Sequence, residues 1–529
     1  MEELKPFSDK ILREIDKIRK EFNRDVVNKI GSNNAIIFYC KLYEVLFYEY
    51  LKTHGEFKVN DTKLLLTIGE IIKWVSQEKF IEDKEIRNLD VEVLTTYFYK
   101  ALEVEQSNSA FLSRFGELFK AMILDTNKVE FFYQNEEIQF FEHVNHLLLT
   151  DYLQQKSFKF NELIRKGRKK GRYINAAFIA KSIVETEFEL PDDYSVLGFT
   201  IGQLKEFWTH VIREAENVNH RNRVYFKELV KAGKATTLEE INGLKILEID
   251  INKWKLRSLS KEQAMQLLDI LSYNGQKKLN SIYSSLISEP IIKLPDNRYI
   301  VIPSSLAFYQ AERYTLQVFD RFISYYQNKG EKVHTDDYKR EDIFVNKLNR
   351  LFANFKYKND TIKISNSNID YLVYDENSKT LICFEIKWMI EPLTPTEIKN
   401  KDATLRKALE IQLPSYKKEI EENTLEILKK AFGHDFNDIP DNYYYFVLTN
   451  ISIGSGLLDR SKFKIINFRM LQKAVRESSE NLFNASQILQ EDTYIRDANK
   501  FIESVITKNT CFGIEISQPE FKYKGGFSL

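Results

Sequence analysis

The sequence predicts an α+β protein of several domains, in which an all-helical N-terminal region precedes a C-terminal α/β domain with a central mixed sheet. The 529 residues exceed what one hydrophobic core serves. Up to about residue 232, apolar residues recur at three- and four-residue spacing with few Gly or Pro. Beyond about residue 336, short apolar runs alternate with helical segments. We therefore divide the chain into a helical region (1–232), a mixed α+β connector (233–335), an α/β domain (336–475) and a C-terminal helix and tail (476–529).

Composition narrows the class of protein. Lys plus Arg (77) equals Asp plus Glu (77), so nucleic-acid binding would have to come from local basic patches. Three widely spaced cysteines argue against a disulfide framework and a zinc site, and fit a reducing cytosol. The charged first 22 residues do not resemble a signal peptide, and no run of 18 apolar residues occurs. We expect a cytoplasmic protein with no membrane partner.

The helical region contains no recognisable catalytic or ligand-binding motif. Its helices are predicted from segments 37–52, 64–77, 91–104 and 110–124. We expect this region to bind a partner protein, a DNA structure or a second copy of the chain. His143 and His146 have a spacing that could bind a metal on a helix, but no third ligand is apparent, which favours a packed pair. The basic segment 165–172 contains two glycines and is predicted to be a loop, which either grips phosphates or is simply solvated.

The connector is predicted to contain a Ser-capped helix that ends at Gly275 and a hairpin around residues 295–297. A long aromatic-rich helix is expected over 304–328. The next elements have the order α-β-β-β-α-β-β, and a further helical stretch (476–508) leads into a short extended tail. The seven elements are predicted at 341–354, 355–366, 368–376, 380–388, 396–432, 443–450 and 463–468.

The two strands at 368–376 and 380–388 form the most informative pair. A polar turn at 376–379 joins them, which would place Asp370 opposite Glu385. Because side chains alternate along a strand, Asp370, Glu385 and Lys387 would share one face. The other face would be wholly apolar, with Ile369, Tyr371, Val373, Ile382, Phe384, Ile386 and Trp388. Charges beside a buried strand pair are costly unless a cation or a task justifies them.

Two carboxylates and one amine in this arrangement support phosphodiester hydrolysis. Asp370 and Glu385 would hold Mg²⁺ (or Mn²⁺), an oxygen-seeking ion that acidifies bound water and stabilises charge on phosphate. Lys387 would position the attacking water and offset negative charge in the transition state. The Glu-x-Lys triplet alone carries little weight, since it also occurs at 56–58, 82–84, 397–399 and 520–522. The acid opposite it across a tight turn, on an otherwise apolar hairpin, distinguishes 385–387.

The pattern Asp370-x14-Glu385-x-Lys387 on a hairpin within α-β-β-β-α-β resembles the PD-(D/E)xK, or restriction-endonuclease-like, nuclease superfamily over roughly 335–470. The resemblance implies an auxiliary acid on the preceding helix, for which Glu341 is the best match and Asp342 the alternative. It also implies that Gln412 and Tyr416 touch substrate or orient the Lys387 amine.

Two departures from the family pattern are present. No proline precedes Asp370, and Pro414 interrupts the Gln–Tyr segment, which predicts a kink or a fresh helix start. The resemblance nevertheless implies a Mg²⁺-dependent deoxyribonuclease; DNA rather than RNA follows family habit, and RNA is not excluded. An accessory region before a nuclease is similar to bacterial antiphage defence and restriction effectors. The alternative is a catalytically inactive nucleic-acid-binding or scaffold protein, in which the helical region mediates partner interactions.

Overall fold

The computed structural model describes residues 4–54, 62–85, 91–115, 118–171, 174–232, 238–276, 285–330, 340–364, 368–390 and 395–524. The helices of these residues are α1 (Lys5–Phe22), α2 (Asn28–Ile30), α3 (Ser32–His54), α4 (Thr62–Ser76), α5 (Val91–Phe115), α6 (Glu136–Lys169), α7 (Ala176–Glu187), α8 (Ile201–Lys231), α9 (Leu238–Gly243), α10 (Lys261–Ile270), α11 (Ala311–Asn328), α12 (Glu341–Leu351), α13 (Pro395–Lys407), α14 (Leu413–Glu422), α15 (Thr424–Phe432), α16 (Phe468–Glu477) and α17 (Leu482–Gln490). The strands are β1 (Phe119–Asp125), β2 (Lys128–Tyr133), β3 (Ser195–Val196), β4 (Phe199–Thr200), β5 (Leu247–Glu248), β6 (Ser272–Tyr273), β7 (Ile291–Lys293), β8 (Tyr299–Val301), β9 (Tyr357–Lys363), β10 (Asn368–Asp375), β11 (Thr380–Lys387), β12 (Asn442–Thr449), β13 (Lys464–Asn467), β14 (Ile502–Cys511) and β15 (Ile514–Tyr523).

The predicted α-β-β-β-α-β-β order is confirmed from α12 to β13, and these strands form one five-stranded sheet in the order β13-β12-β11-β10-β9. Strands β9, β10 and β11 form an antiparallel meander, whereas β11, β12 and β13 run parallel. The sheet is therefore mixed. Helices α13 to α15 make the crossover between the parallel strands β11 and β12, which need a long connection.

The N-terminal region is largely helical, but the expectation of an all-helical region is wrong. Segment 119–133 forms the antiparallel hairpin β1–β2, so the helix predicted across 110–124 ends at Phe115. A second, two-residue hairpin joins β3 to β4. The Asn127 backbone N–H donates to the Asp125 carboxylate at 2.6 Å and closes the β1–β2 turn. Strand β2 then pairs in parallel with β15, a distant partner that local periodicity cannot reveal.

The C-terminal segment also differs from the prediction of a helix and tail. Helix α17 ends at Gln490, and the residues expected to be helical up to 508 instead enter the long strand β14. Strands β14 and β15 pair antiparallel along ten residues each, around a turn in which Phe512 and Gly513 have φ of 50° and 72°. The order β1-β2-β15-β14 thus joins this C-terminal hairpin to the β1–β2 hairpin of the N-terminal region in one sheet.

The basic segment is helical rather than a loop. Helix α6 continues to Lys169, and Arg172 lies outside the described residues. Gly167 serves helix packing instead of a turn, because a Cβ there would lie 2.5 Å from the Phe178 ring of α7. The His143 and His146 rings pack against Phe521, with centroids 5.2 and 4.3 Å away, as in the packed interpretation.

The connector contains the expected cap and hairpin with different limits. Ser260 caps α10 in a capping box with Gln263, but the helix ends at Ile270 and not at Gly275. Strands β7 and β8 form the predicted hairpin, in which Asn297 has a φ of 68°. The expected 304–328 helix begins only at Ala311, after a 3₁₀ turn.

Helix α6 packs into the core of the five-stranded sheet, although it belongs to the region predicted as a separate helical unit. Phe141, Val144, Leu147 and Leu148 all join that core. The Asn145 side chain donates to the Gly454 carbonyl at 2.8 Å and fixes the loop after β12. No helix of the described residues is long and apolar enough to cross a membrane.

Candidate active site

The hairpin β10–β11 has the predicted register. Tyr371 pairs with Phe384 and Val373 with Ile382, and the turn occupies 376–379. Asp370 and Glu385 are the next residues beyond the last paired positions. There the two strands are held by a side chain, because Asp370 Oδ2 accepts a hydrogen bond from the Ile386 backbone N–H at 2.8 Å.

Both faces of this hairpin are covered. The predicted apolar face is buried from Ile369 to Ile386 and packs against α12, where the Phe352 ring lies 6.1 Å from Tyr371 and 6.2 Å from Phe384. The opposite face packs against α14, whose Tyr416 reaches Glu385, and α15, whose Phe432 ring lies 6.5 Å from Tyr374. Glu385 is therefore fully buried, whereas Asp370 is half-buried and the Lys387 side chain is 17% exposed. The partly exposed members of the site, Asp370 and Lys387, lie at the end of the hairpin where β10 begins and β11 ends.

Glu385 is held from two sides. The Lys387 ammonium contacts Glu385 Oε1, and the Tyr416 hydroxyl contacts Glu385 Oε2. The Tyr416 hydroxyl also lies 2.6 Å from the Asn368 carbonyl oxygen. Since Tyr416 is only 1% exposed, it supports the glutamate from within the core. The structure thus brings the predicted Tyr416 into the site, at the carboxylate rather than on an open surface.

The carboxyl group of Asp370 has a pKa raised to about 7. Burial is the largest cause, and the negative charge of Glu385 adds to it. The Ile386 N–H and the Lys387 ammonium act in the opposite direction, while Glu341 raises the pKa further. Two carboxyl groups this close together form a site that a cation would stabilise.

Glu341 lies in the first turn of α12, where it influences Asp370 through its charge. Among the described contacts it makes no hydrogen bond to Asp370, Glu385 or Lys387. Asp342, the alternative acid, is not among the main causes of the raised Asp370 pKa. The electrostatic evidence therefore favours Glu341 over Asp342 as the acid associated with the site.

Gln412 precedes a fresh helix start, as Pro414 predicts. Residues Ala408–Gln412 form a π-helical turn, and α14 begins at Leu413 with proline in its first turn. A wide turn at this point avoids the clash between the proline ring and the carbonyl one turn earlier. Gln412 Oε1 is buried and has no hydrogen-bond partner in the described part of the chain. This oxygen therefore keeps an unused hydrogen-bonding capacity beside α14.

Two supporting residues were not found from the sequence. Asn450 clamps the backbone after β11: it accepts from the Met389 N–H at 3.0 Å and donates to the Met389 carbonyl at 2.5 Å. Arg340 donates to Asp320 at 2.7 Å, while its guanidinium lies 5.3 Å from the centre of the Trp388 ring. A signal for Asn450 did exist, since it directly follows β12 and parallel strands end at the same edge.

The donor set suits a hard divalent cation. Within the described residues no group of three or more His, Cys, Asp or Glu side chains could hold a metal. Asp370 and Glu385 nevertheless provide two carboxylates, and Mg²⁺ is commonly held by one or two carboxylates together with waters and substrate phosphate. Burial and the nearby charge of Glu385 disfavour the ionised form of Asp370, and a bound cation would favour it. The residues present therefore fit Mg²⁺ or Mn²⁺.

No protein family, curated protein or solved structure matches this chain. The resemblance to nucleases therefore depends on the site residues and their arrangement.

Proposed function

We propose that this protein is a metal-dependent nuclease that hydrolyses DNA phosphodiester bonds, with a restriction-endonuclease-like domain at 336–475. The proposal is supported by one observation: Asp370, Glu385 and Lys387 lie close together at the end of the hairpin where β10 begins and β11 ends. The same proposal includes DNA as the substrate, a role in bacterial defence or restriction, and a cytoplasmic location. It also includes an oligomer or a partner protein bound through the helical region.

In this mechanism the two acids bind the metal, and the lysine acts on the water and the phosphate. Asp370 and Glu385 would hold Mg²⁺ or Mn²⁺, which when bound acidifies a water and stabilises charge on the phosphate. Lys387 positions the attacking water and offsets negative charge on the phosphate. Its ammonium is paired with Glu385, which keeps the lysine charge beside the proposed metal ligands.

The remaining residues support these three. Tyr416 keeps Glu385 in place through its hydroxyl group. Glu341 adds negative charge near Asp370, which favours a cation there, and the Gln412 amide can bind water or substrate. The Asp370–Ile386 hydrogen bond holds the two strand ends together, so that the acids stay adjacent as substrate binds.

The test is cleavage of plasmid DNA by the full chain with Mg²⁺, with Mn²⁺ and with EDTA, using wild type, Lys387→Ala and Lys522→Ala. Lys522 is a matched control, because it belongs to another Glu-x-Lys triplet and is exposed. We expect metal-dependent cleavage that Lys387→Ala lowers by about 10²–10³-fold and Lys522→Ala leaves unchanged. Metal-independent DNA binding without cleavage, unaltered by Lys387→Ala, would instead support the scaffold alternative.

A further inference from the structure

The structure contains a groove of about 650 Å³ beside the candidate site. Its walls come from α6, α12, α16 and the segment after β11. It lies at the junction between the predicted helical region and the α/β domain, because Tyr152 of α6 faces residues of α12 and α16. We propose that this groove binds one strand of nucleic acid and leads it to Asp370, Glu385 and Lys387. The inference rests on the proposed function and specifies its substrate class.

The groove and the candidate site share their supporting residues. Trp388, which lines the groove, directly follows Lys387. Asn450 lines it as well, while it clamps the backbone of Met389. Trp388 follows β11, Asn450 follows β12 and Asn467 ends β13, so the groove lies at the same end of the parallel strands as Lys387. A strand that leaves the groove there would pass the end of β11, where Lys387 lies.

The acidic residues of the groove are already engaged by the protein. Four acidic and four basic side chains line it, so its formal charge is balanced. Asp151 pairs with Arg469 at 2.7 Å, and Glu189 pairs with Lys347 at 3.0 Å. Glu312 accepts two backbone N–H groups, from Glu189 at 3.0 Å and Leu190 at 2.8 Å.

Two basic side chains of the groove remain uncompensated. Arg350 of α12 and Arg476 of α16 are both exposed, and neither makes an ion pair or hydrogen bond with any residue that the structure describes. Glu480, the fourth acid, is held by Asn354, whose amide lies 3.1 Å from it. The free cations are thus arginines on two helices, and planar guanidinium groups are well suited to phosphate.

The size of the groove favours a single strand over a duplex. A volume of about 650 Å³ lies in the range of clefts for molecules of a few hundred daltons, which is the scale of one or two nucleotides. A double helix could only lie across the rim. The half-buried rings of Tyr152, Trp388 and Phe468 also line the groove. Cations that follow the backbone together with aromatic rings near the bases are typical of single-strand binding.

The experiment measures the binding of labelled oligothymidylate, and of its duplex with oligoadenylate, to the full chain in EDTA. Lys387→Ala serves as the parent, so that no cleavage intervenes. Arg350→Glu with Arg476→Glu is compared with Arg496→Glu, an exposed arginine outside the groove whose guanidinium donates only to the Glu491 carbonyl. Melting temperatures establish that all variants fold.

We expect the parent to bind the single strand more tightly than the duplex. The double variant should weaken single-strand binding at least about tenfold and lower the slope of log affinity against log salt by about 1.4, as expected for two lost phosphate contacts on a single strand. Arg496→Glu should change neither value. Unchanged single-strand affinity in the double variant, no single-strand binding, or tighter duplex binding would overturn the groove proposal.

The outcomes also separate the two proposals. If single-strand binding depends on Arg350 and Arg476 but the protein cleaves nothing, the groove proposal stands and the nuclease proposal fails. If the protein cleaves in a metal-dependent way but its single-strand binding does not depend on the two arginines, the nuclease proposal stands and the groove proposal fails.

Discussion

Glu385 and Glu142 are both buried glutamates with different surroundings. Glu385 is fully buried at the end of β11, where Lys387, Tyr416 and the second acid Asp370 all lie close to it. Glu142 is 5% exposed in the middle of α6, and burial raises its pKa to about 8, although the neighbouring Tyr133 opposes the shift. Its Oε2 has no hydrogen-bond partner in the described part of the chain.

The difference teaches that a raised pKa alone does not indicate catalysis. Glu142 is mainly protonated at neutral pH and behaves as an uncharged polar group in the core. At the strand edge, burial is combined with a second acid, a lysine that is partly exposed and an opening to solvent. The combination can hold a cation and act on a substrate, whereas a lone buried acid can do neither.

The largest expected effect is on the rate of DNA cleavage, which should distinguish the Asp370–Glu385 site from the surroundings of Glu142. Asp370→Asn removes a proposed metal ligand, so we expect nicking of plasmid DNA in Mg²⁺ to fall by about 10²–10³-fold. Glu142→Gln replaces a protonated acid with a neutral amide of similar shape and should leave the rate within about twofold. Equal losses in both folded variants would show that burial, and not the site, sets the activity.

Metal binding should depend on pH through Asp370. Since its pKa is raised to about 7, Asp370 is mostly protonated at pH 6 and mostly ionised at pH 8, and only the ionised form binds a cation well. Mg²⁺ affinity from calorimetry should therefore be about tenfold weaker at pH 6 than at pH 8. Glu142→Gln should keep this dependence, and Glu385→Gln should abolish Mg²⁺ binding. A pH-independent affinity would contradict the shifted aspartate.

The two tyrosines beside these glutamates provide a further contrast. Tyr416→Phe removes the hydroxyl that contacts Glu385, and we expect roughly a tenfold lower cleavage rate with KM little changed, since a hydrogen bond to a charged group contributes about 1.5–3 kcal/mol. Tyr133→Phe beside Glu142 should leave the rate unaltered. If Tyr416→Phe raised KM alone, Tyr416 would have to contact substrate directly.

The arrangement of the candidate site residues was predictable from the sequence because it depends on local geometry. A polar four-residue turn between two apolar runs determines the pairing of Val373 with Ile382, and strand alternation then places Asp370 beside Glu385. Pro414 likewise announces the helix start at Leu413. These inferences need no knowledge of distant segments.

Prediction failed where the fold depends on distant contacts. Strand β2 pairs with β15, almost 400 residues away in the chain, and this pairing joins the two local hairpins β1–β2 and β14–β15 into one sheet. Gly167 looked like a loop residue, yet it accommodates the Phe178 ring at a helix crossing. Asn450 stabilises the site only because β12 lies parallel to β11.

The smallest expected effect is on the pH dependence of the free energy of unfolding, and it tests Glu142 by itself. Because its pKa is raised from 4.5 to about 8 in the folded state, its contribution to stability is full below pH 4.5 and is lost as pH rises through 8. Between pH 7 and pH 8 the loss should be about 1 kcal/mol in the free energy of unfolding. Burial lowers the pKa of His143 and His146, so both rings are neutral throughout this interval. Urea unfolding of wild type and Glu142→Gln at the two pH values measures the difference, and Glu142→Gln should lose about 1 kcal/mol less than wild type. Identical losses would mean that Glu142 is ionised in the folded protein. A nearby cation would then have to balance its charge, as the Lys387 ammonium does for Glu385.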